Sequence, residues 1–371
     1  LSMGIGRFAY TPIIAIMEQQ AGLSVLTAGW VASANYLGYF IGSIIPLILG
    51  RRISAPLLFR LGIIATIVSF ACLPLSVSPW VWSFWRLISG IASAFTLIAT
   101  SKIILVKLRE KGAMQHSGWI FSGIGIGIVI SALVVDLLAV NWQQIWWLLA
   151  IICVILSLPT WRVSEAKAPP LESVLRLSHF PVSVILITLG YSCSGFGYIT
   201  SATFLPILLG SGESANTLSW LIVGLAVIPS TVLWSQIAER FGVMASLVSA
   251  TLIQASSVIL PVIIANELSL YLSALLFGLS FMGVVTLTLQ AVSKVAGDTT
   301  SFIALCTIGY SIGQVLGPVV TNFLAEHVHL SLGAVTLGHF DLGLITAFVM
   351  TLIGALCYAL SQPKLIGANT Q

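Results

Sequence analysis

Long apolar stretches alternate along this chain with short polar punctuation. Runs without a single charged residue cover 19–50, 61–85, 177–212, 214–238, 241–266, 268–293 and 342–363. Each exceeds the ~20 residues with which a helix crosses roughly 30 Å of hydrocarbon. The runs do not break into the ~10-residue alternating segments of a transmembrane barrel. Helices are the expected element, because each closes its own backbone hydrogen bonds where there is no water. Turn signals divide the chain into twelve expected spans, at 1–21, 26–49, 57–76, 79–102, 117–139, 142–161, 182–209, 217–237, 243–264, 267–294, 299–325 and 337–361.

Composition turns that pattern into a class. Only 7% of the 371 residues are charged and 58% are hydrophobic, against about 25% charged in a soluble domain. No aqueous fold buries so many apolar spans, so the chain reads as an all-α, polytopic membrane protein whose first partner is the lipid bilayer. It opens inside an apolar run, so the first span is expected to begin upstream of Leu1.

Charge placement orients the spans. After successive spans the gaps hold 0, 3, 0, 4, 0, 3, 0, 1, 0, 1 and 0 Lys or Arg, and the tail holds one. The basic gaps carry Arg51, Arg52 and Arg60, then Lys102, Lys107, Arg109 and Lys111, then Arg162, Lys167 and Arg176. The positive-inside rule puts these gaps and both termini in the cytoplasm. The opposite gaps carry acids only: Glu18, Glu213, Glu267 and Glu326. The net charge of +4 is thus a topology signal that favours anionic headgroups, and no nucleic-acid partner is expected.

Other chemistry is sparse. Cys72, Cys153, Cys193, Cys306 and Cys357 sit singly inside expected spans and read as small packing residues. His327-x-His329 reads as solvated loop, and neither a metal nor a cofactor is expected. No acids, nucleophiles or ligands converge at one depth, so an enzyme is not expected. There is no Gly-x-x-x-x-Gly-Lys-Ser/Thr loop, which excludes direct drive by ATP.

The chain also resembles itself. A shift of 190 residues carries Gly22, Thr27 and Trp30 onto Gly212, Thr217 and Trp220; Gly123 and Gly127 onto Gly313 and Gly317; and Asp136 onto Glu326. A shift of 191 carries Gly4-x-Gly6 onto Gly195-x-Gly197. Two parallel six-helix repeats follow: a bundle at 1–161, a cytoplasmic linker at 162–181 with a helix-breaking Ala-Lys-Ala-Pro-Pro stretch, and a second bundle at 182–371.

This layout resembles the major facilitator superfamily. Ala238-Glu239-Arg240-Phe241-Gly242 is similar to the acid-Arg-x-Gly centre of its loop motif, while Gly50-Arg51-Arg52 lacks the acid. Arg86-x-x-x-Gly90 resembles its membrane-embedded arginine motif. Gly313-x-x-x-Gly317-Pro318 is similar to the Gly-Pro motif that antiporters carry on the fifth helix, whereas the fifth helix here has Gly118, Gly123, Gly125 and Gly127 and no proline. The stretches 4–12 (GIGRFAYTP) and 28–38 (AGWVASANYLG) resemble the bacterial YbfB/YjiJ-type branch. The resemblance implies a multi-pass protein of the bacterial cytoplasmic membrane. It also implies secondary active transport of a small organic solute by alternating access, through a site between the halves, in a protein monomeric by analogy. It implies conformational latching at Glu239 and Arg240, coupling at Arg86 and Gly90, and a gating role for Gly313, Gly317 and Pro318. Uptake and efflux both stay open, as does a transport-inactive sensor or assembly partner.

Candidate site residues follow from the cost of polarity in lipid. A charge in the bilayer costs roughly 2.5–3.5 kcal/mol on insertion scales and marks function by default. Arg7 lies eleven residues before Glu18, or ~16 Å of helix, and reads as a midplane cation for an anionic or carbonyl-bearing solute. Tyr10 and Thr11 share its face at helical spacing. Arg86 is either a coupling residue facing the bundle or an outward snorkeller. Polar faces add Asn35 and Tyr39, with Tyr36 alongside; Tyr191, Ser194, Tyr198 and Ser201; Thr286 and Gln290; and Tyr310 and Gln314. Each of these reads equally as an interhelical hydrogen bond. Protons are a candidate coupling partner, with Glu18, Asp136, His339 and Asp341 as the titratable groups near spans.

Overall fold

The computed structural model describes residues 1–49, 52–112, 119–137, 141–163, 181–208, 213–264, 266–295, 299–328, 331–332, 335–336 and 340–361. Its helices are α1 (Ser2–Phe8), α2 (Tyr10–Ala21), α3 (Val25–Leu49), α4 (Ala55–Cys72), α5 (Pro79–Glu110), α6 (Trp119–Leu137) and α7 (Trp142–Val163). There follow α8 (Val182–Leu208), α9 (Glu213–Phe241), α10 (Val243–Ile263), α11 (Glu267–Val295), α12 (Thr299–His327) and α13 (Asp341–Leu360). The 3-10 turn Leu73–Leu75 prolongs α4, and β1 (Ser331–Leu332) pairs antiparallel with β2 (Val335–Thr336). The linker at 164–180 lies outside the described residues, as do Gly50, Arg51, Gly118, Gly212, His329, His339 and Lys364.

Eight helices (α4, α5, α7, α8, α9, α10, α11 and α13) are each long and apolar enough to cross a membrane alone. The pair α1–α2, with α3, α6 and α12, completes twelve crossings. The expected single helix over 1–21 is broken at Ala9. Pro12 gives the reason: it has no N–H to offer the Phe8 carbonyl, and its ring crowds that oxygen. The other large difference is α5, expected to end at 102, which runs on to Glu110. Hydropathy marks where lipid ends, but a helix goes on closing its own hydrogen bonds in water.

The packing has an internal two-fold pattern. In the first half α3 and α4 pack on α5, α1 on α6, and α4 on α7; in the second half α9 and α10 pack on α11, α8 on α12, and α10 on α13. The halves meet where α3 packs on α12 and α6 on α9. Exchanging the halves turns one of these contacts into the other.

Glycines allow the crossings. A Cβ at Gly90 would run into the Asn35 carbonyl, and one at Gly38 into the Leu87 carbonyl, so α3 and α5 touch backbone to backbone. The repeated glycines also do the same work twice. A Cβ at Gly127 would lie 2.9 Å from the Gly4 Cα, and one at Gly317 would lie 3.0 Å from the Phe196 carbonyl oxygen. The Trp30–Trp220 match carries no such equivalence: Trp30 is 51% exposed and Trp220 fully buried. Trp220 reaches inward to Phe8, with ring centroids 6.3 Å apart. The outer surface is apolar, with Ile48, Leu75, Leu137, Leu158 and Leu268 exposed, as lipid contact requires.

Candidate functional site

Among the described residues, Arg7 and Arg86 are the buried charged side chains, and no Asp or Glu is buried. Fifteen Lys and Arg occur in the chain, and these two are the ones that the loop pattern leaves inside spans. The structure puts them side by side on α1 and α5.

Arg86 holds the helix break. Its Nη1 donates to the Gly6 carbonyl at 3.0 Å and its Nη2 to the Arg7 carbonyl at 3.2 Å. Ser89 also donates to the Gly6 carbonyl, at 2.9 Å. The snorkelling alternative is therefore corrected: the side chain turns into the bundle, because carbonyls near the end of α1 need donors. Asn35 supports it from α3, its Nδ2 donating to the Arg86 carbonyl at 2.9 Å. Tyr10 is corrected as well. Its ring lies 4.8 Å from the Arg86 guanidinium and its hydroxyl donates to the Ala28 carbonyl at 3.3 Å. Thr11 is buried beside it in α2.

Arg7 sits instead in an aromatic cage. Its guanidinium carbon lies 4.4 Å from the Tyr39 ring centroid, 5.4 Å from Tyr36, 5.8 Å from Phe8 and 6.0 Å from Tyr198. Ring faces attract a desolvated cation. Its Nη2 donates across to Gln314 Oε1 on α12, tying the first half to the second. A guanidinium only donates, so the amide oxygen must face it. The Arg7 Nε and the Gln314 Nε2 are buried without a hydrogen-bond partner. Pro318 cannot donate to the Gln314 carbonyl, which loosens α12 one turn from this contact.

Behind the cage is a stack of rings. Tyr191 lies on Tyr310 at 4.1 Å, Tyr310 on Tyr198 at 5.9 Å, and Tyr198 on Phe281 at 5.1 Å. Tyr36 and Tyr310, named from the sequence beside Tyr39 and Gln314, belong to this group; Phe8 was not named, its only signal being an aromatic next to Arg7. Gln290 is not among the partners of Arg7. It bridges α11 to α9, donating to Ser235 Oγ at 3.3 Å. A separate cavity of about 190 Å³ lies between α1 and α4–α7, lined by Leu1, Phe59, Ile63, Thr96 and Cys153 but not by Arg7.

The model of the family described as "Uncharacterised MFS-type transporter YbfB" matches residues 1–354. The chain belongs to this family of membrane transporters. YceJ of Bacillus subtilis (strain 168), described as an uncharacterized MFS-type transporter, is 23% identical over 355 residues, covering 90% of this chain and 89% of its own. A crystal structure of the nucleoside transporter NupG superposes with a TM-score of 0.71 and 14% identity over 98% of both chains. That likeness shows the fold. In this MFS-type transporter Glu239 and Arg240 are exposed at the end of α9, with Arg240 over the Phe241 ring at 5.3 Å. Gly242, at φ 88°, makes the turn into α10, a backbone conformation that favours glycine. Gly90 and Gly313 act in the close crossings of α3 with α5 and of α8 with α12. Glu18 and Asp136 are exposed, and neither faces Arg7.

Proposed function

We propose that this transporter is a secondary carrier that moves a small organic anion across the bacterial cytoplasmic membrane by alternating access, with both termini cytoplasmic. The observation that carries the reading is a buried guanidinium without a buried carboxylate among the described residues, placed where α1 meets the other half at Gln314. A cation in lipid without a fixed counter-ion is a standing site for a mobile one. Arg7, Tyr39, Tyr198 and Gln314 are the binding residues, with Tyr191 stacked behind them. Arg86 positions the α1 segment that carries Arg7.

Contacts between the halves support a conformation closed on the side where α2 ends. Tyr36 and Thr203 hydroxyls lie 3.2 Å apart, and Asn322 donates to the Leu26 carbonyl at 3.2 Å. Alternating access requires these to part. The exposed Glu239–Arg240 pair is the latch of the opposite state. Protons are not assigned a path, since the described acids are remote from Arg7.

Metabolite profiles of cells lacking and overproducing the protein test this reading. The expected result is an organic anion that shifts in opposite directions in the two strains, and whose shift vanishes in Arg7→Ala at equal membrane abundance. Identical profiles, or a shift that Arg7→Ala retains, would overturn it.

A further inference from the structure

We infer that the substrate is a flat organic monocarboxylate, and that it binds by displacing Gln314 from Arg7. The inference rests on the carrier reading above and adds to it the substrate's charge, its shape and the step that couples binding to movement of the halves.

The charge follows from the unspent donors. Both Nη groups of Arg86 donate to backbone carbonyls, of Gly6 and Arg7; its Nε is unpartnered like that of Arg7, but the carbonyls that hold it cannot turn away as a side-chain amide can. Arg7 donates to a neutral amide, meets the Tyr198 hydroxyl, and has a buried Nε with no partner. A carboxylate would accept two parallel bonds from that fork, which a side-chain amide oxygen cannot. Around the fork are ring faces: Tyr36, Tyr39, Phe8 and Tyr198. Ring faces are negative, so a second carboxylate on the same solute would meet repulsion and no second free cation, since Arg86 is held by backbone carbonyls. A cationic group would face Arg7 and Arg86 with no buried Asp or Glu among the described residues to offset them. One negative charge and an apolar, planar body are what the wall accepts.

The coupling follows from who holds Arg7 now. Gln314 belongs to the second half and Arg7 to the first, so the bond between them is a clasp across the rocking interface. Its Nε2 is buried without a close hydrogen-bond partner, so the clasp leaves an amide donor poorly satisfied, which is unfavourable away from water. A carboxylate that takes over Arg7 also gives that Nε2 an acceptor once the amide turns away from the guanidinium. The anion thus replaces one bond to a neutral acceptor with two bonds to a charged one, and it releases the clasp only when it is bound.

Thermal unfolding of the full-length protein in detergent, with benzoate, benzamide, uridine, succinate and benzylamine as probes, tests the inference. Benzoate is expected to raise the unfolding midpoint by about 2–4 °C at roughly ten times its Kd, and the other four to raise it less. Gln314→Glu gives Arg7 a built-in carboxylate. It should raise the midpoint of the free protein and abolish the benzoate response. Gln314→Leu removes the clasp without supplying charge and should keep or strengthen that response. An equal response to benzamide or uridine, a larger one to succinate or benzylamine, or a benzoate response retained in Gln314→Glu would overturn the inference. Flux in proteoliposomes separates the two readings. Arg7-dependent flux of neutral solutes alone would sink the monocarboxylate and leave the carrier. Benzoate binding that Gln314→Glu abolishes, without flux of any solute, would support the monocarboxylate site and sink the carrier.

Discussion

Two arginines of equal charge and similar burial play different parts because their hydrogens meet different groups. Arg86 meets backbone carbonyls and Arg7 meets ring faces and an amide. Replacing Arg86 with Met removes a donor from the Arg7 carbonyl and leaves the Gly6 carbonyl to Ser89 alone, and should lower stability by about 1–3 kcal/mol, read as a lower unfolding midpoint in detergent. Replacing Arg7 with Met should do the opposite. It removes a buried charge that has no buried counter-ion among the described residues, so stability should hold or rise by about 1–3 kcal/mol while transport is lost. An unfolding scan and a flux assay on the same two variants check both signs. Residue-scale legibility was uneven. Arg7 was visible because an arginine inside an apolar run is costly wherever the chain goes. The part played by Arg86 was not, since its carbonyl partners lie 79 and 80 positions away and only folding brings them near. Tyr10 was grouped with Arg7 on spacing within one helix, and spacing does not show that α5 brings Arg86 against its ring.

At the scale of the element, α1 and α2 form a broken crossing and α3, α5, α8 and α12 form tight ones. Pro12→Ala restores an N–H for the Phe8 carbonyl and should straighten the crossing. The protein is expected to insert normally and to transport more slowly, as measured by initial uptake; an unchanged rate would show that the break is not used. Gly90→Leu and Gly313→Leu place side chains against the Asn35 and Ser192 carbonyls. Overpacking at such contacts should cost about 3 kcal/mol and show as a fall in folded yield on size-exclusion chromatography. The glycine repeat at 123, 127, 313 and 317 was legible as spacing. Which helices it lets touch was not, because spacing does not name the partner.

For the whole molecule, the decisive contacts join α3 to α12 and α6 to α9. A Cβ at Gly29 would lie 2.5 Å from Asn322 Nδ2, so Gly29→Cys with Asn322→Cys should cross-link under mild oxidant. The cross-linked carrier is expected to lose flux and to regain it on reduction; flux that survives quantitative cross-linking would mean that this side does not open. By itself the sequence determined the class, the number of crossings, the repeat and the one cation that lipid cannot ignore, since each follows from the free energy of moving a side chain or a backbone group out of water. Tertiary structure alone decided that Arg86 holds a helix end, that Tyr36 and Tyr198 close on Arg7 from opposite halves, and that Gln314 answers it from 307 residues away. The physical reason is reach: solvation acts on each residue where it stands, whereas a hydrogen bond or a ring contact exists only between groups that folding has brought within a few ångströms.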